Sequence, residues 1–274
     1  MITWGNLHNV LLALVVAGFQ IATRTTSDEA LLTAAQRNDL PGVISALEHG
    51  ANINAQSPGQ VTAAMLAARN GNLEMVKVLV QRPADLSVQD AFFIRTAVEE
   101  AIALGDVEMV RYLNSRGAPP AEYILAFAVE KKDLPLLQLV SRRPDIPDFA
   151  IAATHAVAVR KGDTEVATVL ASELDHRPEA TKSFLSLSSG ALQPFTGKYR
   201  DDRTAQSITV TLEKDQLIAI LGPRSLMLFP LSETEFRAPE MPNTVVNFFP
   251  RSGQATQMRV DTRGLNLDLR RGPN

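Results

Sequence analysis

The chain has 274 residues, 45% of them hydrophobic and 21% charged, which is enough apolar material for one large core or two modest ones and argues against a disordered chain. A formal net charge of -3 provides no global positive field, so nucleic acid is not an expected partner. The absence of cysteine excludes disulfides, thiolate metal sites, cysteine nucleophiles and lipid-modified cysteine, without specifying a redox compartment.

Val10 to Ala22 form an apolar run interrupted only by Gly18 and Gln20. It has the length of a secretory signal core and is short for a bilayer span of about 20 residues. Residues 1–26 are therefore read as a signal peptide, with the mature protein exported to the periplasm or secreted. No Lys or Arg precedes the run, and neither Ala17 nor Ala22 sits in a small-x-small cleavage pattern, so an uncleaved N-terminal anchor stays open, as does a buried first helix.

Beyond this segment the chain repeats itself. Asn38-Asp39-Leu40-Pro41-Gly42-Val43, Gly71-Asn72-Leu73-Glu74-Met75-Val76, Gly105-Asp106-Val107-Glu108-Met109-Val110, Lys132-Asp133-Leu134-Pro135-Leu136-Leu137 and Gly162-Asp163-Thr164-Glu165-Val166-Ala167 align, with spacings averaging roughly 31 residues. In each copy an Ala-rich amphipathic helix ends at a residue that can take a left-handed cap. An Asn or Asp then caps a second helix with apolar residues at helical spacing. The spacing predicts five antiparallel helix pairs.

These residues resemble the ankyrin family. Thr62 to Ala68 correspond to its Thr-Pro-Leu-His-x-Ala-Ala helix start, Gly71 to Leu79 to its Gly-x-Leu-x-x-Val-x-x-Leu helix, and Gly50 to Asn54 to its Gly-Ala-Asp-Val-Asn turn. Ala63 replaces the family proline and Met65 its histidine, while the third to fifth copies lose most of the turn consensus. The interval of 27 between the third and fourth copies leaves no room for a full projecting hairpin. The resemblance covers residues 27–174 and implies a helical solenoid with a concave face that binds protein partners. The family's outward positions correspond to Gln36 and Arg37, Arg69 and Asn70, Ala103 and Leu104, Glu130 and Lys131, and Arg160 and Lys161, a stripe basic at both ends with an apolar centre. Ordinary helix surface is the alternative reading of that stripe. Phe92 and Phe93 fall where the family has an exposed turn; they are candidate aromatic anchors of an interface, or they fold inward to seal a degenerate turn.

After Leu174 the helical period fades, Ser183 to Ser189 is serine-rich with Gly190 and Pro194 beyond it, and 175–193 reads as a linker. From Phe195 the period becomes two. Strands are predicted at Ser207 to Glu213, Leu217 to Leu221, Leu226 to Leu231, Glu235 to Ala238, Val245 to Phe249, Gln257 to Asp261 and Leu265 to Arg270, with turns at Lys214-Asp215-Gln216, Gly222-Pro223, Met241-Pro242-Asn243, Arg251 to Gln254 and Thr262-Arg263-Gly264. Seven or eight short strands imply an antiparallel barrel over residues 194–274. Phe195-Thr196-Gly197-Lys198-Tyr199, Ile208-Thr209-Val210, Leu228-Phe229-Pro230 and Val246-Asn247-Phe248 are similar to the small lipocalin-like tail domain of β-lactamase-like serine hydrolases. That family's Ser-x-x-Lys pair has no counterpart in this chain, so the resemblance brings no hydrolase chemistry.

The four histidines lie far apart, and none has another at i+3 or i+4, so no helical metal face is expected. Glu99-Glu100 and Asp201-Asp202 are adjacent carboxylates whose side chains diverge, and solvated charge is the expected explanation. No phosphate-binding Gly-rich loop and no Gly-x-Ser-x-Gly elbow occurs. The fold class expected is α+β multidomain, an ankyrin-type α-helical solenoid followed by a small antiparallel β-barrel. The function expected is a monomeric, non-enzymatic protein-binding module of the bacterial envelope or secreted space, without cofactor or metal. The alternatives are a small-molecule carrier or sensor using the barrel, and a regulatory subunit of an envelope hydrolase.

Overall fold

The computed structural model describes residues 26–272, apart from 205, 263 and 264. The reading of Val10 to Ala22 as an export signal or anchor lies outside the described residues. The described chain begins with ten helices: α1 (26–36), α2 (Leu40–Glu48), α3 (Ala63–Arg69), α4 (Leu73–Gln81), α5 (Ala97–Leu104), α6 (Val107–Ser115), α7 (Ala121–Glu130), α8 (Leu134–Ser141), α9 (Asp148–Lys161) and α10 (Thr164–Leu174).

One device joins the two helices of every pair. Asn38, Gly71, Gly105, Lys132 and Gly162 all have φ between 53° and 76°, the left-handed conformation that ends a helix. The residue after each, Asp39, Asn72, Asp106, Asp133 or Asp163, donates its backbone N–H to an alanine carbonyl five positions back (Ala34, Ala67, Ala101, Ala128, Ala158) at 2.8 to 3.1 Å. Its side chain accepts from the N–H three positions on, at 2.8 to 3.3 Å, and so caps the second helix. Each such cap stabilises its helix by about 1 kcal/mol. The five aligned segments of the sequence are these five corners.

The described chain divides into two compact units, one ending at Pro120 and the other beginning at Ala121. In the first, α3 packs against α4 and α5, and α2 against α4. The small side chains of Ala63, Ala64, Ala67 and Ala68 on α3 are buried and allow this close approach, with Met65, Met75, Leu79, Val98, Met109 and Leu113 filling the core. Met65, at the family's histidine position, still completes the cap of α3: its sulfur accepts from the Thr62 N–H at 3.5 Å, while the Met65 N–H donates to Thr62 Oγ1 at 3.3 Å.

In the second unit α7 packs on α8, and α10 on both α8 and α9. Arg177, just past α10, ties this unit together. Its guanidinium donates to the carbonyls of Ser141, Arg143 and Ile146 and to Asp148 and Glu173, all at 3.0 to 3.3 Å. The stretch 175–193 is folded: Ala180 is buried, Phe184 packs against Phe149 and Phe229, and the Leu185 N–H donates to Pro230 O at 2.8 Å. A last short helix, α11 (Ser189–Leu192), delivers Leu192 and Phe195 into the core of the sheet that follows.

That sheet is a closed antiparallel barrel of eight strands in sequence order: β1 (Gly197–Arg200), β2 (Ser207–Glu213), β3 (Gln216–Leu221), β4 (Arg224–Pro230), β5 (Glu235–Arg237), β6 (Thr244–Arg251), β7 (Gln254–Thr262) and β8 (Leu265–Arg271). Closure comes from β1 against β8, Tyr199 opposite Arg271. Among the described residues, three hairpins turn on two residues. Lys214-Asp215 and Ser252-Gly253 have positive φ at both positions, whereas Gly222-Pro223 has positive φ at the glycine alone, as twisted strands require. Pro250 falls at the register shift in β6, where no ladder N–H is needed. Among the sixteen buried residues of the interior, Phe195, Tyr199, Phe236 and Phe248 form a ring cluster with centroids 4.9 to 5.7 Å apart. Burial pushes the Tyr199 phenol up to about 12 while nearby Arg271 opposes the shift, and its hydroxyl donates to Phe195 O at 2.8 Å.

The barrel lies on the helices of its own unit. Phe149, Ala153 and Val157 of α9 share a buried cluster with Ile218, Met227 and Phe229. Arg237 joins Glu122 of α7 at 3.2 Å and stands 5.0 Å over the Phe149 ring, and Tyr123 donates to Pro242 O at 2.9 Å. Asp201 departs from the sequence expectation: it is buried, not solvated, because its carboxylate accepts the N–H groups of Arg203 and Thr204 at the β1–β2 turn.

Two outcomes test this packing. Arg177→Met, which keeps the stem but removes five hydrogen bonds and leaves buried carbonyls unpaired, lowers stability by about 2–4 kcal/mol, read as a shift in the urea midpoint. Phe248→Ala removes the ring at the centre of the aromatic cluster and lowers it by about 3–5 kcal/mol in the same measurement.

Candidate partner-binding surface

The two hairpins of the first unit are built alike with one difference. In the first, the Ser57 N–H donates to Val61 O at 3.0 Å and the Ser57 hydroxyl accepts from the Val61 N–H at 3.2 Å. In the second, Asp90 takes the place of Ser57 and its N–H donates to Arg95 O at 3.0 Å, so this loop is one residue longer. The extra residue makes room for Phe92-Phe93 at the tip.

Asp90 organises that tip. It is 2% exposed, and its carboxylate accepts three backbone N–H groups: Phe92 at 2.8 Å, Phe93 at 2.7 Å and Arg95 at 3.2 Å. Burial opposes ionisation of this carboxyl, but the N–H groups of Phe93, Phe92 and Arg95, with Arg69 nearby, outweigh it and hold Asp90 below the usual aspartate range. Ile94 sits at φ 54°, a left-handed conformation unfavourable for a β-branched residue, which stores roughly 1–3 kcal/mol. The Ala91 N–H donates to Gly59 O at 2.9 Å, tying the loop to the preceding hairpin. The Phe92 ring lies close over Gly59: a Cβ there would stand 2.5 Å from Phe92 Cε2 and would push the exposed ring aside. Despite these restraints the rings face outward, Phe92 being 78% and Phe93 67% exposed.

Two arginines flank the rings. Arg95 stacks 5.3 Å over Phe93, and both Arg69 and Arg95 are drawn to Glu100, at 2.8 Å and 3.9 Å. The Glu100 hydrogen bond raises the pKa of Arg69 against the effect of burial. Glu99 and Glu100 are thus buried, contrary to the expectation of solvated charge. Glu99 closes the capping box on Thr96, at 3.1 Å from its N–H, and Glu100 lies beneath two guanidinium groups.

The positions nominated from the sequence divide between the two units. In the first, Gln36, Arg37, Ala103 and Leu104 are exposed at the ends of α1 and α5, and Arg69 is exposed at the end of α3. Asn70 is also exposed, but its amide donates to Ala35 O at 2.9 Å and links neighbouring helices. In the second, Glu130 and Lys131 pair with each other at 3.2 Å. Arg160 donates to Glu213 O at 2.8 Å and Lys161 to Glu240 at 3.3 Å, so both meet the barrel. Asp90 and Arg95 were not singled out from the sequence, and Glu100 was read there only as one of two adjacent solvated carboxylates. An Asp two residues before Phe92 is a turn-forming signal that could have drawn attention to the first; nothing local marks Glu100.

A family model described as ankyrin repeats, in three copies, matches residues 3–90 and 31–123. The chain is 34% identical over 95 residues to BRCA1-associated RING domain protein 1 of Caenorhabditis elegans, covering 34% of this chain and 13% of that protein. It is 37% identical over 70 residues to ankyrin repeat and SAM domain-containing protein 6 of Mus musculus, covering 26% of the chain and 8% of the relative. Against the mitochondrial disaggregase of Homo sapiens it is 39% identical over 80 residues, 28% of the chain and 11% of the relative. The chain therefore spans only about a tenth of the length of these curated relatives. The fold is that of ankyrin helical repeats in the N-terminal part followed by a closed antiparallel eight-stranded barrel.

The lowered Asp90 carboxyl fixes the sign of a pH effect. Its contribution to loop order is present above the ordinary aspartate value of about 3.9 and is lost as pH falls through the lower folded value. In an NMR titration the amide signals of Phe92, Phe93 and Arg95 shift together with a midpoint below about 3.9. In Asp90→Ala the same amides lose hydrogen-exchange protection at neutral pH, while those of α3 and α4 keep theirs.

Proposed function

We propose that this protein is a non-enzymatic interaction module that binds a protein partner through the first helices and hairpins of its N-terminal repeats, with Phe92 and Phe93 as the energetic centre and Arg37, Arg69 and Leu104 around them. The observation that carries this reading is the pair of exposed rings on a loop held by a buried carboxylate and a left-handed isoleucine. Folding restrains the tip and leaves two large apolar side chains in water. Pre-organised aromatic anchors of this kind carry much of the energy of interfaces. Ankyrin repeats as a class support the same role. The apolar run from Val10 to Ala22 supports an exported module of the bacterial envelope or secreted space.

The carrier reading is less favoured, because the barrel interior is occupied by its own side chains, above all Phe195, Tyr199, Phe236 and Phe248. A ligand of ordinary size needs a cavity of at least about 300 Å³.

A photo-reactive amino acid placed at position 92 or 93 in cells captures the partner. Against that purified partner, Phe92→Ala and Phe93→Ala each weaken binding by roughly 30-fold, equivalent to about 2 kcal/mol. Exposed Leu139, on the second helix of another pair, tolerates the same change. Unchanged affinity in both Phe variants would place the interface elsewhere.

A further inference from the structure

The chemistry of the tip narrows the partner, given the reading above that Phe92 and Phe93 meet a protein. Facing outward are two aromatic rings and two guanidinium groups. The carboxylates that balance those guanidinium groups, Glu100 and Asp90, are 5% and 2% exposed and lie beneath them. An approaching chain therefore meets hydrogen-bond donors and apolar area, with the compensating negative charge facing inward.

The donors are largely unengaged among the described residues. A guanidinium has five N–H donors. Arg69 makes one hydrogen bond, to Glu100, and Arg95 only the 3.9 Å ion pair and the stack on Phe93. Glu100 holds one guanidinium by that bond and draws the other toward it, and the stack orients the second, so a carboxylate arriving from outside meets pre-positioned N–H groups. The surrounding repeats carry more acidic than basic residues, so the long-range field opposes an acidic segment and only short-range contacts favour it. At a screening length of about 8 Å local donors decide. Two partly compensated guanidinium groups are also too few for a phosphate backbone, which draws its affinity from many such contacts. The surface is short. The eight residues of α5 separate the tip from exposed Leu104, roughly 12 Å at the helical rise, or about four extended residues.

We infer that this surface recognises a short extended peptide segment in which acidic and aliphatic residues alternate, the carboxylates meeting Arg69 and Arg95 and the aliphatic side chains meeting Phe92, Phe93 and Leu104. The test uses the full chain and fluorescein-labelled hexapeptides read by fluorescence anisotropy. Asp-Leu-Glu-Leu-Asp-Leu binds, and its affinity falls as salt is raised. The amide analogue Asn-Leu-Gln-Leu-Asn-Leu binds at least ten-fold more weakly, and Lys-Leu-Lys-Leu-Lys-Leu and a thymidine decamer more weakly still. R95Q and F93A each lower affinity for the acidic peptide at least ten-fold.

R69Q alone leaves Glu100 buried with less compensation and could unfold the region. The double variant R69Q/E100Q removes both charges together; it keeps the wild-type melting temperature within a few degrees and still loses the acidic peptide. Equal affinity for the amide or basic peptide, preference for the thymidine decamer, full affinity in R95Q and R69Q/E100Q, or no binding of any peptide at millimolar concentration would each overturn the inference. Its failure is distinguishable from failure of the interaction reading. A partner crosslinked at residue 92 or 93 through a neutral segment leaves that reading standing and removes this one.

Discussion

Reversal of the chain at the corner of each helix pair is the constraint from which the helical half follows. A left-handed residue stops one helix, and the next residue's backbone and side chain satisfy both that helix and the one beginning. Glycine takes this conformation freely, but Asn38 and Lys132 adopt it too, so the corner persists where the residue type changes. The alanine carbonyl recurs at the same place in all five corners. Once those corners exist, each helix pair has one apolar side that it cannot cover alone, and its neighbours within the unit cover it.

Much of this was legible because it is local. The capping residues, the left-handed positions and the two-residue hairpins of the barrel act over three to five residues, the range over which a sequence pattern speaks directly. Lys214-Asp215, Gly222-Pro223 and Ser252-Gly253 all became turns. What escaped reading depends on residues brought together from a distance. Glu100 looked like solvated charge because its partner Arg69 is 31 positions away. Asp90 took on a structural role because its loop has one more residue than the preceding hairpin, a difference visible only when the two are compared bond by bond. The alliance of Phe149 with Phe184 and Phe229 likewise had no sequence periodicity to announce it.

The two units use similar helix pairs differently. In residues 121–274 the barrel engages α7 and α9 through Glu122, Tyr123 and Phe149, and the basic residues at the end of α9 bond to it. In residues 26–120 the tip of the second hairpin carries its aromatic residues into solvent. Position in the repeat alone therefore does not determine whether a residue is available. Arg69 and Arg160 occupy matching places in their pairs, yet one answers to a buried carboxylate and the other to a strand-end carbonyl.

Arg177 fixes more than local geometry. It reaches back over a whole helix pair to carbonyls at 141, 143 and 146, so its side chain measures the distance from the fourth pair to the end of the fifth. Inserting or deleting a pair between those points would carry the guanidinium away from its acceptors and strand the barrel's entry segment. With α7 also held to the barrel through Glu122 and Tyr123, a change in the number of repeats is compatible with these contacts only in the part of the chain that precedes α7.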